Sequence, residues 1–365
     1  MNAQALYGTI GFFLFRYQIM IPLKYFLLLH ALLLLFGNMP VWASDSEINF
    51  DYQPGKGLQI PGTGLNFGGY ADFGIQNDRQ HPTSISINNL SIFLHWDNDG
   101  KVRVFSELDL ENALAWESAN GVTTNHAYLG LERLYADYLY SEKLNLRAGK
   151  FLTPIGRWNV IHAAPLVWTT SRPLVTERSF PTNATGGMAY GTIPIWNSAI
   201  DYSIYAAMTQ DWRSDPKLDP FEEAYGFHLT LPTSHLGEIG VSYANFEQKS
   251  SIGDRKNLVG IDYFWSKNRY EISSEGVYRR SENAAYRDTK GIFIQGVAPI
   301  SQSWYGIGRY EFYDNGDPGA AMNLWLGGVA KRVSPAMIFK AEFSHADNNR
   351  IKAPEGFFTS LAILF

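Results

Sequence analysis

The chain has 365 residues, no cysteine, 45% hydrophobic and 15% aromatic residues, and a formal net charge of −5. A mean hydropathy of −0.17 excludes a bundle of membrane helices, which needs repeated apolar runs of about 20 residues. The acidic balance argues against nucleic acid as a partner, since that would call for a basic face.

The only long apolar stretch is N-terminal. Lys24 precedes an apolar run from Tyr25 to Phe36, followed by Val41-Trp42-Ala43. Charge, short apolar core and small-x-small site in that order predict a secretory signal peptide over 1–43, with Met20 as an alternative start. Its removal takes away Arg16 and Lys24 and no acid, so the remainder is more acidic, at −7. Lack of cysteine is compatible with passage through an oxidising periplasm. Residues 44–63 read as a short periplasmic segment, too short to fold as a plug.

From residue 64 onward, apolar and polar residues alternate with period 2 in runs of about ten, as in membrane strands. In 101–111, Val102, Val104, Leu108 and Leu110 share one face, while Arg103, Glu107, Asp109 and Glu111 share the other. Strands are expected near 64–76, 83–97, 101–113, 125–140, 144–152, 186–193, 198–209, 223–231, 238–247, 256–265, 269–280, 288–298, 303–313, 320–332, 336–346 and 355–365. Short connections (such as 97–100, 141–143 and 266–268) alternate with longer polar ones (such as 114–124, 281–287 and 347–354). About sixteen strands with that asymmetry predict an all-β protein, a transmembrane antiparallel barrel over 64–365 with short periplasmic turns and longer extracellular loops.

Aromatics on the apolar parity sit beside the short turns: Trp96, Tyr138, Tyr140, Trp265, Tyr270 and Trp304. Their rings and polar edges suit a membrane–water boundary. The chain ends on an alternating strand closed by Phe365. That ending resembles the signal by which outer-membrane proteins are recognised, which implies the barrel-assembly machinery and outer-membrane lipid as partners. Closure should pair 64–76 with 355–365, because an open sheet edge cannot face lipid.

A barrel of this size encloses water. The polar parity would then line a lumen with charges of both signs, among them Asp72, Arg103, Glu107, Asp109, Arg147, Asp262, Arg269, Glu271, Glu275, Arg279, Arg309, Glu311, Lys340 and Glu342. The connection 153–185 differs from the other loops. It carries Ile155, Trp158, Val160, Leu166, Val167, Trp168 and Leu174, which a solvated loop would not expose together. It also carries Arg157, Arg172, Arg178 and His162 against Glu177. The expectation is a segment folded into the lumen as a constriction, with Arg147 and Lys150 below it, favouring anions locally. A lid over the mouth or a subunit contact is the alternative.

Leu134–Tyr140 and Leu144–Gly156, with Gly149-Lys150-Phe151-Leu152-Thr153-Pro154-Ile155-Gly156 at their heart, resemble a segment of the phosphate-selective porin O and P family and related trimeric porins. Ser171–Leu174 and Thr185–Gly191 are similar to it as well. The resemblance implies a sixteen-stranded, commonly trimeric pore whose third extracellular loop folds inward. Phosphate specificity does not carry over, because those channels resemble basic staircases and this lumen is mixed.

The chain is therefore expected in the bacterial outer membrane as a passive channel for small hydrophilic solutes, anionic ones included. The alternatives are a non-conducting barrel for adhesion or assembly, and a lipid or hydrocarbon transporter, whose lumen should be apolar. An enzyme is not expected: no G-x-S-x-G or metal-spaced His/Glu cluster occurs, and His345 and Ser360 lie on opposite parities. No metal or cofactor is implied. N-terminal sequencing of protein from outer membranes should begin at Ser44; retention of 1–43 would count against export.

Overall fold

Strands form here because side chains of period 2 let one face meet lipid and the other water, while ladder hydrogen bonds satisfy the backbone in both settings. The computed structural model describes residues 51–195, 198–208, 219–233 and 236–365. The expected signal peptide, most of 210–222, and parts of the turns at 194–197 and 232–237 lie outside the described residues.

Sixteen barrel strands occur among the described residues: β1 (Leu65–Asp78), β2 (Ser84–Asp97), β3 (Val102–Glu117), β4 (Tyr128–Ser141), β5 (Leu144–Leu152), β6 (Asn183–Ile195), β7 (Ser198–Ala207), β8 (Phe221–Thr233), β9 (Gly237–Gln248), β10 (Lys256–Lys267), β11 (Tyr270–Ser281), β12 (Thr289–Pro299), β13 (Trp304–Asp314), β14 (Met322–Ser334), β15 (Met337–Ala346) and β16 (Gly356–Leu364). Each pairs antiparallel with its chain neighbours. β16 pairs with β1 in the register Leu361↔Phe73 and Ser360↔Gly74, which closes the barrel. A short hairpin, Asp51–Gln53 with Gly57–Ile60, pairs onto the start of β1.

Burial is inverted relative to a soluble protein. Ile92, Leu108, Ile204, Val241, Ile261, Ile294 and Phe343 are exposed, whereas Asp72, Glu107, Asp109, Asp262, Glu275, Glu311 and Lys340 are buried. The outer surface is thus an apolar band and the charges point inward. Tyr138, Tyr140 and Tyr270 lie on the outer face near the short turns, and Lys331 Nζ sits 5.4 Å from the Trp304 ring there. A second set, Trp116, Tyr225, Tyr278, Tyr310 and Trp325, is exposed toward the long-loop end. Two aromatic girdles flank the band, as a bilayer requires.

Four register shifts interrupt the first four strands, at Asp72/Phe73, Ile87/Asn89, Glu107/Leu108 and Leu139/Ser141. At the third, Glu107 pairs with Arg133 and Leu108 with Leu131, so Glu132 is the extra residue and joins Arg133 on the inner face. A bulge re-aims a side chain in this way.

Leu361 belongs to the outer parity, between Phe339 and Phe73. Leu361→Arg should cost about 2–4 kcal/mol if the position lies at mid-bilayer depth. Unfolding of the barrel in lipid would measure it, and an unchanged stability would contradict the assignment of faces.

Candidate functional site

Between β5 and β6 the chain leaves the wall and returns thirty residues later, forming a 3-10 turn (Trp158–Ile161) and a one-turn helix (Leu174–Arg178) on the way. Its apolar side chains pack on inward-facing apolar residues of the wall. Ile155, Trp158, Val167, Val175 and Phe180 join Tyr205, Phe246, Leu258, Val277 and Phe293 in one cluster. Leu174, with Trp168 at its edge, joins Val297, Ile307, Tyr313, Leu324 and Ile338 in another. Val160 and Leu166 remain exposed.

An irregular segment has few internal partners for its amides, and wall carboxylates supply them. The Glu275 carboxylate accepts from Arg157 N (2.9 Å) and Trp158 N. Glu342 accepts from Thr170 N (2.7 Å) and Ser171 N (2.8 Å). Glu311 accepts from Leu174 N at 2.6 Å. These three glutamates stand on β11, β13 and β15, alternate strands of the same inner wall. Cations complete the clamp: Lys340 Nζ donates to Ala164 O and Thr169 O, Arg309 to Ser171 O and Thr169 Oγ1, and Arg279 to Ser179 O. Charge-assisted bonds of this kind contribute about 1.5–3 kcal/mol each.

Two glycines of the motif 149–156 have geometric reasons. Gly149 has φ +130°, and a Cβ there would collide with the Leu134 carbonyl. Gly156 has φ +65°, and a Cβ would collide with the Glu275 carboxylate. The chain can turn off β5 and reach the clamp only with glycine at both positions.

The segment's three arginines are not at one level. Arg157 reaches toward the short-turn end, binding Glu238 at 2.9 Å and stacking 3.7 Å from the Phe264 ring centre. Arg172 lies beside Trp158 and within electrostatic reach of Glu132 and Asp109. Arg178 donates to Ile351 O at the long-loop end. His162 approaches Glu132 at 3.5 Å. Burial, with the Arg172 guanidinium next in weight, holds His162 below the usual imidazole range, so the ring is neutral at neutral pH. Arg172, His162 and the buried Lys150 thus face Glu132 and its neighbours on β3 and β4. Arg147 is held bidentate by Asp137 (2.7 and 2.9 Å), and Glu107 by Arg133 at 2.5 Å.

Some expected wall charges have other places. Arg269, with φ 69°, caps the turn at 301–302 and contacts Tyr305. Arg103 pairs with Asp97 at the short-turn rim. Arg279 stands at the opposite mouth. There a cavity of about 730 Å3 is lined by Arg178, Lys256, Arg279, Arg287 and Arg350 against one acid, Asp317. Among the described residues no cluster of His, Cys, Asp and Glu could hold a metal ion.

Fold and site together define an outer-membrane β-barrel of the porin type. The chain belongs to the same family as an uncharacterized protein of Aquifex aeolicus (strain VF5), to which it is 30% identical over 340 residues, covering 78% of this chain and 76% of that protein. No family model matches. Solved structures share its fold. Salmonella typhi OmpF in complex with daunomycin has TM-score 0.58 and 9% identity over 87% of this chain and 99% of that one. The anion-selective porin from Comamonas acidovorans has TM-score 0.56 and 11% identity over 82% and 98%. The trimer form of Vibrio cholerae OmpT has TM-score 0.56 and 9% identity over 82% and 99%.

Glu342→Ala removes two clamp bonds and should weaken docking of the segment by on the order of 2–4 kcal/mol. Trypsin should then cleave after Arg178, which Ser179 follows, several times faster while the barrel keeps its heat-modifiable mobility. Unchanged cleavage would mean that the apolar clusters alone hold the segment.

Proposed function

We propose that the chain is a non-enzymatic diffusion channel for small hydrophilic solutes, with segment 153–182 as its constriction. The observation that carries the proposal is the clamp: residues of inward parity on β9 through β15 bind the segment's backbone from Gly156, which donates to Ser242 Oγ, to Ser179. A lid or a subunit contact would not need acceptors on the inner wall. Solutes would pass along β1–β4 beside the point where His162 meets Glu132 at 3.5 Å, near which the cations Arg172 and Lys150 stand among the acids Glu107, Asp109 and Glu132. Adjacent positive and negative walls orient a dipolar solute and reject apolar ones, which disfavours the lipid or hydrocarbon alternative.

Anionic solutes would be gathered at the long-loop mouth. The arginines that line this mouth, Arg279, Arg287 and Arg350 among them, would raise the local anion concentration, most strongly at low ionic strength. In this proposal the signal peptide is removed after Ala43, Phe365 directs assembly, and the barrel is a homotrimer; a solved form of the fold relative OmpT is a trimer. The narrower likeness to the phosphate-selective porins is part of the same proposal, on the strength of the motif 149–156.

Planar-bilayer recordings test this directly. Discrete conductance steps are expected, with a reversal potential displaced toward anions at low salt. Arg172→Gln should move it toward cations, and Arg269→Gln at the rim should move it less. A folded protein without conductance would overturn the channel, and equal shifts from both variants would remove the segment from the pore.

A further inference from the structure

The cavity of about 730 Å3 at the long-loop mouth is bordered by donors that the protein leaves without acceptors. Arg279 on β11 and Thr289 on β12 are cross-strand neighbours, and both line it. Thr289 is 4% exposed, and its Oγ1 has no hydrogen-bond partner among the described residues. Arg279 Nε is buried and equally without one. The guanidinium is held through Nη1 by Ser179 O at 3.1 Å, a neutral carbonyl. Acids in the neighbourhood are engaged elsewhere. Asp254 pairs with Lys256 at 3.3 Å and accepts from Ser281 and Asn283. Asp288 accepts from Tyr278 and Ser281, Asp219 from Ser250, and Asp317 from Asn315. Glu177 lies 4.0 Å from Arg178.

A charge drawn partly out of water without a counterion is destabilising, and so is a buried hydroxyl without a partner. One oxyanion in the cavity would answer both, because its oxygens accept from a guanidinium and a hydroxyl side by side. The remaining lining indicates the kind of oxyanion. Ala285, Tyr286, Pro318, Ala320 and Ile351 border the same space. The Tyr286 side chain is 43% exposed. Inorganic phosphate, polar all round, gains nothing from such surfaces, whereas an anion with a flat apolar body does. The volume also falls within the range of about 300–1,000 Å3 typical of sites for small organic ligands.

We infer that this cavity is an entry site for aromatic carboxylates. The carboxylate meets Arg279 and Thr289, while the ring lies against Tyr286 and its apolar neighbours. Arg287 and Arg350, on the loops above, add attraction at longer range. The inference rests on the channel reading and names the class of solute gathered at this mouth.

The test is calorimetric titration of the folded, detergent-solubilised barrel with benzoate, a measurement that needs no conductance. Saturable binding is expected, about tenfold tighter than that of acetate, which carries the same charge without the ring. Thr289→Val keeps the shape and removes the hydroxyl, and should weaken benzoate about fivefold; Arg279→Gln should weaken it about tenfold or more. Tyr286→Ala should weaken benzoate and leave acetate unchanged. Heat-modifiable mobility establishes that each variant is folded. Absence of saturable benzoate binding would overturn the site. So would acetate or inorganic phosphate bound as tightly as benzoate, or an affinity unchanged by both Thr289→Val and Arg279→Gln. Benzoate binding by a barrel that conducts no ions would support the site and count against the channel reading alone.

Discussion

Lipid offers no hydrogen bonds, and that constraint organises the rest of the molecule. A sheet within it has to close on itself, because each unpaired backbone group in hydrocarbon costs several kcal/mol. Pairing of β16 with β1 meets the requirement, and closure then dictates which residues go where. Apolar side chains turn outward to lipid, and every second residue is left facing an interior too wide for wall side chains to fill. The inner wall of β7–β15 nevertheless carries Phe246, Leu258, Val277, Phe293, Leu324 and Ile338. Those residues need a cover, and the segment after β5 provides it.

The cover creates a second difficulty, which the same wall resolves. An irregular chain leaves amides without partners, while a buried carboxylate requires donors; each alone is destabilising. Glu275, Glu311 and Glu342 meet the amides of 157–158, 174 and 170–171, so both demands are satisfied at once. Because the three glutamates alternate along the sheet, the segment is held at spaced points and cannot slide.

The barrel was legible in the sequence because long strands repeat a period that nothing else imitates, and because short and long connections alternate without a break. Strand ends fell within a few residues of those observed. Glu132 was missed, although its signal is present: Leu129 and Leu131 share a phase that Leu134, Ala136 and Tyr138 do not, and such a slip marks a bulge. The level of the three arginines could not be read, since rise along the barrel axis depends on how the segment is clamped. Nor could the fate of the wall glutamates, because one strand's parity says that Glu275 points inward but not that two amides meet it. A row of neighbouring rings on β1–β4 has the same origin. Tyr70, Phe93, Phe105 and Tyr135 lie far apart along the chain and become neighbours only through cross-strand register.

Net charge is accordingly a poor guide to the field inside the barrel. Arg133, Arg147 and Arg309 are each matched to a carboxylate within 3 Å, and a pair that close contributes little field at the distance of a passing ion. Cations held by neutral carbonyls behave differently. Arg350 bonds to Pro318 O, which fixes its position without cancelling its charge, whereas Arg178, bonded to Ile351 O, also has Glu177 at 4.0 Å. The fields of the cations lining the long-loop mouth are screened over about 8 Å at physiological salt. An acidic chain can thus present a basic mouth, because its acids are engaged in holding the segment and pairing the wall. The field inside the barrel follows from which charges are left uncancelled, and backbone carbonyls decide that as much as composition does.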